Sequence, residues 1–251
     1  MAKIRFATNV PYEHHVLDGH IQSAKARGLP MVAKQEPHEG KLAVVGGGPS
    51  IKNHLDDLRS WPGDIWAING ACRWLRAAGV ESTFLTTDPT PGIAEVAKGA
   101  RNALVASRCH PSVFDALEDA AVRLFHVSND DVGGFWASVS TVMVTFDLAT
   151  HLGFREIHFF GCEGSYETTT HTYMDDPQTF RFVVACNGGE YLTLPELYLQ
   201  TVQLAEVLRN FPVSFRERSG GLLGAMVRNP EHDIVKVSRA LLAGCEFKEA
   251  A

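Results

Sequence analysis

Short apolar runs alternate with amphipathic stretches along most of this chain, from residue 42 to residue 160. Such runs have the length of buried strands, and the stretches between them repeat apolar residues at helical spacing. This alternation predicts right-handed βαβ units in a doubly wound, mostly parallel sheet with helices on both faces, a Rossmann-like α/β fold. The predicted strands span 42–45, 64–68, 83–87, 103–106, 122–127 and 156–160, and the predicted helices span 51–59, 71–78, 93–98, 111–120 and 138–152.

The pattern changes on either side of this region. Residues 1–40 are polar and rich in histidine, with one helical stretch over 12–27, and are predicted to form an N-terminal extension to a domain over 41–251. Residues 161–191 are too polar for a core and too long for a simple connection, so a functional loop or lid is expected after the sixth strand. A helix from about 193 to 210, a short strand near 213–215 and a helix near 222–228 are predicted to complete the fold.

Composition narrows the class of protein. A chain of 251 residues with 45% hydrophobic content can bury a full core. Its net charge of −6 and pI near 6.0 argue against a surface built as a whole to bind nucleic acid or anionic membrane. No apolar run approaches the roughly 20 residues that span a bilayer, and the start of the sequence lacks a signal-peptide core, so a cytoplasmic protein without stable membrane insertion is expected.

The five cysteines are scattered and form no C-x-x-C pair. Their spacing therefore suggests neither a disulfide framework nor a zinc site. Cys162 follows a predicted strand and could line a site, although packing is the simpler interpretation.

The first predicted strand runs into Gly46, Gly47, Gly48, Pro49 and Ser50, which we call the glycine turn. Glycines allow positive φ and a close approach of ligand to backbone, and the N–H groups of a helix that follows attract an anion. Proline suits the first turn of such a helix. The glycine turn is thus a candidate phosphate site, although a tight strand-to-helix connection needs glycine with or without a ligand.

Other polar residues follow the carboxyl ends of the predicted strands, where open parallel sheets bind ligands. Asn69 follows the second strand and offers a donor and an acceptor to a base or ribose, but Asn-Gly is also an ordinary turn. Asp88 follows the third strand, where it could bind a metal or a sugar hydroxyl or could simply cap a turn. Gly161 and Glu163 follow the sixth strand and are candidates for cofactor binding.

The polar segment after the sixth strand carries His171, a candidate general base or acid, together with Tyr166 and Tyr173. The adjacent carboxylates Asp175 and Asp176 are interpreted as a solvated loop. The sequence contains no G-x-S-x-G elbow, Walker motif or H-E-x-x-H, which argues against hydrolase and P-loop functions.

Taken in order, these motifs resemble a known superfamily. V-V-G-G-G-P-S at 44–50, D-I-W-A-I-N-G-A at 64–71, T-F-L-T-T-D-P at 83–89 and L-G-F-R-E-I-H-F-F-G-C-E at 152–163 resemble the 6-hydroxymethylpterin pyrophosphokinase-like proteins. That group includes motility-associated flagellin glycosyltransferase-like proteins. The motif order is also similar to that of bacterial sialyltransferases that use CMP-sialic acid, and the resemblance covers roughly residues 42–228.

The likeness to sialyltransferases implies that the glycine turn and Asn69 hold the nucleotide and its phosphate. It implies that His171 is the base for an acceptor hydroxyl and that Tyr166 and Tyr173 steady the departing phosphate. The chain departs from that pattern in two places, because Gly47 and Asp88 stand where those enzymes have asparagine. A nucleotide-sugar is then the donor substrate, and no cofactor is needed.

The likeness to pyrophosphokinases implies ATP and Mg²⁺ instead, with Asp88 binding the metal. Those enzymes have a second aspartate shortly after the first, whereas here the sequence runs Asp88-Pro-Thr-Pro-Gly. The leading hypothesis is a glycosyltransferase-like, nucleotide-dependent transferase, with the diphosphokinase second. A non-catalytic nucleotide-binding protein of the same fold is a third hypothesis. The sequence does not identify the acceptor, and it does not determine whether the protein assembles into a homo-oligomer.

Overall fold

Seven parallel strands form the central sheet of this protein, for which a computed structural model describes residues 12–127, 134–135, 140–166, 181–211 and 214–237. The strands are short and strongly apolar; all four residues of β1 after Lys41 are buried. Such continuous apolar runs are typical of parallel strands covered on both faces. The strands are β1 Lys41–Val45, β2 Asp64–Ile68, β3 Thr83–Thr86, β4 Asn102–Ala106, β5 Ala121–Phe125, β6 Glu156–Phe160 and β9 Phe215–Glu217.

The strand order is β5-β4-β3-β2-β1-β6-β9. The chain therefore winds outward from β1 to one edge, returns to the other side of β1 as β6, and continues outward to β9. The sheet is flanked by helices, and the predicted Rossmann-like doubly wound α/β fold is confirmed. The winding direction reverses between β1 and β6, and in such sheets ligands bind beyond the carboxyl ends of the strands at this switch point.

Most predicted helices are present with ends shifted by a few residues. One difference is larger, since the helix predicted over 111–120 ends at Asp115 and continues in turns, with Leu117 N–H donating to Phe114 O. The helices are α1 His14–Ala26, α2 Leu55–Arg59 after a 3₁₀ helix Pro49–His54, α3 Gly70–Ala77, α4 Ile93–Ala97, α5 Pro111–Asp115, α6 Thr141–His151, α7 Pro195–Asn210 and α8 Gly221–Arg228.

A second, antiparallel sheet corrects the prediction that residues 161–191 form one loop. β7 (Phe182–Cys186) and β8 (Gly189–Thr193) pair as a hairpin, and β10 (His232–Val237) pairs with the other side of β7. The hairpin turn is Asn187-Gly188, with φ of 48° and 78°, a sequence that favours two-residue hairpin turns. The loop prediction is wrong for 182–191, and residues 167–180 lie outside the described part of the chain.

The segment after α1 extends the sheet at the β5 edge. Val32 N–H donates to Leu124 O at 2.9 Å, and Leu124 N–H donates to Pro30 O at 2.8 Å. Leu17, Ile21 and Ala24 of α1 are buried. Part of the N-terminal extension therefore completes the core and covers an otherwise open strand edge. None of the described helices is both long and apolar enough to cross a membrane.

Candidate functional site

A cavity of about 160 Å³ lies at the switch point between β1 and β6. Strand ends, the start of α6 and one side of α7 contribute to it, and Glu163 is the one charged residue among the described residues that line it. The lining residues are Gly46, Gly47, Gly48, Ile68, Asn69, Ser140, Thr141, Val142, Gly161, Cys162, Glu163, Gly164, Ser165, Leu197 and Gln200.

The Glu163 carboxylate binds the start of the 3₁₀ helix Pro49–His54, which begins within the glycine turn. Its Oε1 accepts a hydrogen bond from Ser50 N–H at 2.5 Å, and its Oε2 accepts one from Ser50 Oγ at 3.0 Å. Glu163 is only 4% exposed. The backbone donor and the hydroxyl that were candidates to bind a phosphate are thus bonded to this chain's own carboxylate, so an incoming phosphate would compete with Glu163 for them.

Glycine is required at position 48 because a side chain would not fit there, and not because of the backbone angles. Its φ of −67° and ψ of 157° are open to any residue, but a Cβ there would overlap the carboxylate of Glu163. Pro49 and Ser50, the last two residues of the glycine turn, are both buried. The glycine turn therefore closes over Glu163, and the two segments fix each other.

The ends of β1 and β6 approach each other equally closely. Gly48 N–H donates to Gly161 O at 2.8 Å, and Gly46 N–H donates to Phe160 O at 2.8 Å. A Cβ at Gly46 would meet Gly161 O, and one at Gly161, whose φ is 63°, would lie 2.6 Å from Gly46 O. These contacts account for two glycines without any ligand and bring the predicted residues of both strand ends to one cavity wall.

Asn69 presents an unusual side chain and backbone to the cavity. Its φ of 48° and ψ of −125° are disfavoured for any residue with a Cβ. Its Oδ1 is buried and has no hydrogen-bond partner among the described residues. A buried acceptor without a partner costs about 1–3 kcal/mol, and strain of this kind concentrates at functional sites.

The start of α6 forms the other side of the cavity. Ser140 precedes the helix with extended backbone, and its Oγ is a second buried atom without a partner in the described part of the chain. Thr141 Oγ1 lies 2.7 Å from Thr87 Oγ1, which ties the helix start to the end of β3. No acidic residue lies in the first turn of α6. The first N–H groups of a helix attract anions, so this end of the cavity suits a phosphate better than the glycine turn does.

Cys162 lies in the cavity wall but is not suited to act as a nucleophile. Its N–H donates to Ser219 Oγ at 2.8 Å, which holds the strand end in place. Burial, and secondarily the nearby Glu163, raises the pKa of the thiol above its usual range. A thiol held protonated is inert toward electrophiles, which agrees with a packing role.

In the described part of the chain, Asp88 is held in a local turn. Its Oδ1 accepts hydrogen bonds from Thr90 N–H, at 2.9 Å, and from Thr90 Oγ1. This is the arrangement of a capped turn, and Asp88 does not line the cavity. Within the described ranges, no three His, Cys, Asp or Glu side chains are grouped to hold a metal ion.

The predicted catalytic residues are placed only in part. Tyr166 is buried, its N–H donates to Leu192 O at 2.7 Å, and the guanidinium of Arg181 lies 4.4 Å from the centre of its ring. Tyr166 thus packs beside the hairpin sheet and is not part of the cavity lining. His171 and Tyr173 lie outside the described residues, and their roles stay predictions.

Sequence reasoning missed the polar residues at the start of α6 and on α7. Ser140, Thr141 and Gln200 line the cavity, but they precede or lie within helices and follow no strand end. The one local signal was the Ser-Thr pair just before an apolar helix, a typical helix start. The orientation of this Ser-Thr pair toward β1 depends on tertiary packing and could not be predicted from the local sequence.

No protein-family model and no curated protein matches this chain. Among solved structures, the crystal structure of a protein from Lactobacillus plantarum is similar over 71% of this chain, with 15% sequence identity and a TM-score of 0.35. The similar region spans 61% of that protein, less than two thirds of its length.

Proposed function

We propose that this protein is a nucleotide-dependent transferase that moves a sugar from a nucleotide-activated donor to an acceptor hydroxyl. The observation that carries the proposal is the pair of buried polar atoms, Asn69 Oδ1 and Ser140 Oγ, in residues that line one cavity and without a partner in the described chain. Buried polar atoms are nearly always hydrogen-bonded, so such a pair at a switch point supports the binding of a polar ligand there.

In this proposal the nucleotide phosphate lies at the start of α6. The N–H groups of Thr141 and Val142 and the hydroxyl of Ser140 donate to its oxygens, while Asn69 binds a hydroxyl or amino group of the nucleoside. The glycine turn supplies a wall that the ligand can approach closely, because no side chain projects from its glycines.

His171 is proposed as the general base, with Tyr173 as a donor to the leaving group; Tyr166, which packs outside the cavity lining, is not assigned this role. The imidazole takes the proton of the acceptor hydroxyl, and the acceptor oxygen attacks the anomeric carbon. The bond from that carbon to the phosphate oxygen breaks, and the nucleotide leaves with the electron pair. Fixed N–H and O–H donors stabilise the charge that develops on the phosphate.

The diphosphokinase alternative has less support. It requires Asp88 as a magnesium ligand, but that carboxylate is engaged by Thr90 and lies outside the cavity lining. Transfer without a metal needs only donors of the kind that surround the cavity.

A thermal-shift screen tests the proposal. CMP, UMP, AMP, GMP and their di- and triphosphates are each added with Mg²⁺ and with EDTA, because a ligand that binds only the folded state raises the apparent stability. Stabilisation that survives EDTA is expected for at least one nucleotide. Stabilisation only by ATP with Mg²⁺ would support the diphosphokinase, and no shift with any nucleotide would contradict both enzymes.

A matched pair of histidine variants tests the base. Once a donor is identified, His171→Ala is expected to reduce turnover at least about a hundredfold with little change in nucleotide binding. His14→Ala, in an exposed residue of α1, is expected to leave turnover unchanged. Near-normal turnover in His171→Ala would rule out His171 as the base. If no acceptor yields a product with the unmodified protein, a non-catalytic nucleotide-binding protein would be favoured.

A further inference from the structure

Two histidines join the N-terminal helix to α5, away from the cavity at the switch point. His20 of α1 is 8% exposed, and its Nδ1–H donates to Arg108 O at 3.1 Å. The His20 ring meets the His110 ring edge-on, with centroids 5.1 Å apart and planes at 80°. We call this contact the α1–α5 junction.

His110 holds the start of α5 only in its neutral form. The N–H of Ser112 donates to His110 Nδ1 at 3.2 Å, so the imidazole caps the helix. The same nitrogen lies 2.8 Å from Ser112 Oγ. A nitrogen that accepts an N–H carries no proton. Protonation at Nδ1 would therefore turn the acceptor into a donor and release the cap.

The surroundings of the junction oppose protonation of His110. Burial lowers the pKa of His110 most, and the neighbouring His20 lowers it further, whereas Asp115 raises it. Asp115 is itself paired with Arg27 of α1, with Nη2 and Oδ1 2.6 Å apart. Arg27 also lies over the Phe114 ring, 5.3 Å from its centre. The arginine therefore neutralises much of the nearby negative charge that could stabilise an imidazolium.

We infer that the α1–α5 junction is acid-sensitive: at mildly acidic pH the helix α1 separates locally from α5 while the central sheet stays folded. Protonated His110 loses the hydrogen bond from Ser112 N–H, which removes the restraint that holds its ring edge-on against His20. The Arg27–Asp115 pair involves no histidine, so the opening begins around His20. Separation exposes Leu17 and Ile21, which the folded protein buries.

Hydrogen exchange measured by mass spectrometry on the full chain tests this inference. Protection factors for the α1 peptide, corrected for the intrinsic exchange rate at each pH, are compared about one pH unit above and one below the ordinary histidine pKa of roughly 6.5. Protection of α1 is expected to fall on the order of tenfold, while that of β1 and β6 stays within about twofold. Circular dichroism at both pH values checks that the protein remains folded.

His110→Asn is the decisive variant, because asparagine is a good helix N-cap that does not titrate. In this variant α1 protection is expected to be nearly the same at both pH values. His15→Asn, a change at an exposed position of the same helix, should keep the acid response of the unmodified protein. Equal loss in His110→Asn and the unmodified chain, no loss in either, or equal loss in α1 and the central strands would each overturn the inference.

Discussion

Replacing Gly48 by alanine tests the packing of the glycine turn against Glu163. The backbone at Gly48 accepts alanine without strain, since its φ is −67°. The added methyl group would nevertheless overlap the Glu163 carboxylate, which lies within hydrogen-bond distance of Ser50 N–H and Oγ. The cost of Gly48→Ala is therefore steric and depends on the residue at position 163.

The magnitudes follow from these contacts. Overpacking at a closed contact costs about 1–3 kcal/mol. Glu163→Ala removes the acceptor for two hydrogen bonds and leaves the buried Ser50 N–H without one, at a cost of about 2–5 kcal/mol. In the double variant the methyl group at 48 occupies space that the carboxylate has left. Gly48→Ala should then cost less than about 0.5 kcal/mol, giving a coupling of at least about 0.5 kcal/mol between the two positions.

Urea unfolding of the four proteins, followed by tryptophan fluorescence and circular dichroism, measures this coupling. Gly92→Ala is the matched control, because Gly92 has φ of −60° and a Cβ added there would have no atom within 4 Å. That change is expected to be neutral or stabilising by up to about 1 kcal/mol. Additive effects of Gly48→Ala and Glu163→Ala would refute the reasoning, as would a destabilising Gly92→Ala of the same size as Gly48→Ala.

Three further outcomes are expected. Asn69→Gly should raise the free energy of unfolding by about 1 kcal/mol, because it relieves backbone strain, and it should weaken stabilisation by a nucleotide. Asn187→Gly, at the same φ of 48° in the hairpin turn, should leave nucleotide stabilisation unchanged. Equal effects of the two variants on nucleotide stabilisation in thermal-shift assays would contradict this prediction. Burial lowers the pKa of His158 below 6.5, so between the lowered value and 6.5 the unfolded chain binds more protons than the folded protein, and stability falls as the pH drops through that window. His158→Gln should therefore flatten the dependence of the urea midpoint on pH in that window. An unchanged slope of the urea midpoint against pH would contradict the prediction. Cys162 should resist a thiol reagent at mildly alkaline pH in the folded protein and react after unfolding; labelling of the native protein at the rate of a free thiol would show that the site is open.

Much of the fold could be predicted because its strands are buried on both faces. The runs that became β1, β2 and β4 are apolar over nearly their whole length, and their ends in the structure match the predicted ends closely. The small sheet was missed because β7 alternates buried and half-exposed residues, and β8 buries only Thr193, inside a segment whose first half is very polar. The Asn187-Gly188 pair was the local signal for that hairpin.

The site could be predicted only where it depends on strand ends. Asn69, Gly161 and the glycine turn meet at one cavity because parallel strands in one sheet place their carboxyl ends on the same edge. The partner of Ser50 could not be predicted, since Glu163 lies 113 positions away and its orientation depends on tertiary packing. Asp88 follows a strand end like the others, but its neighbour Thr90 draws the carboxylate into a local turn.

The proposed nucleotide site is tested most directly by calorimetry, in which a nucleoside monophosphate chosen from the thermal-shift screen is titrated into the protein in the presence of EDTA. Three proteins are compared: the unmodified chain, Asn69→Ala and Asp88→Asn. Asn69→Ala is expected to weaken binding at least about tenfold, which corresponds to the loss of one well-placed hydrogen bond, and Asp88→Asn is expected to bind like the unmodified chain. Unchanged binding in Asn69→Ala, or binding that requires Mg²⁺ and is lost in Asp88→Asn, would contradict the proposed site.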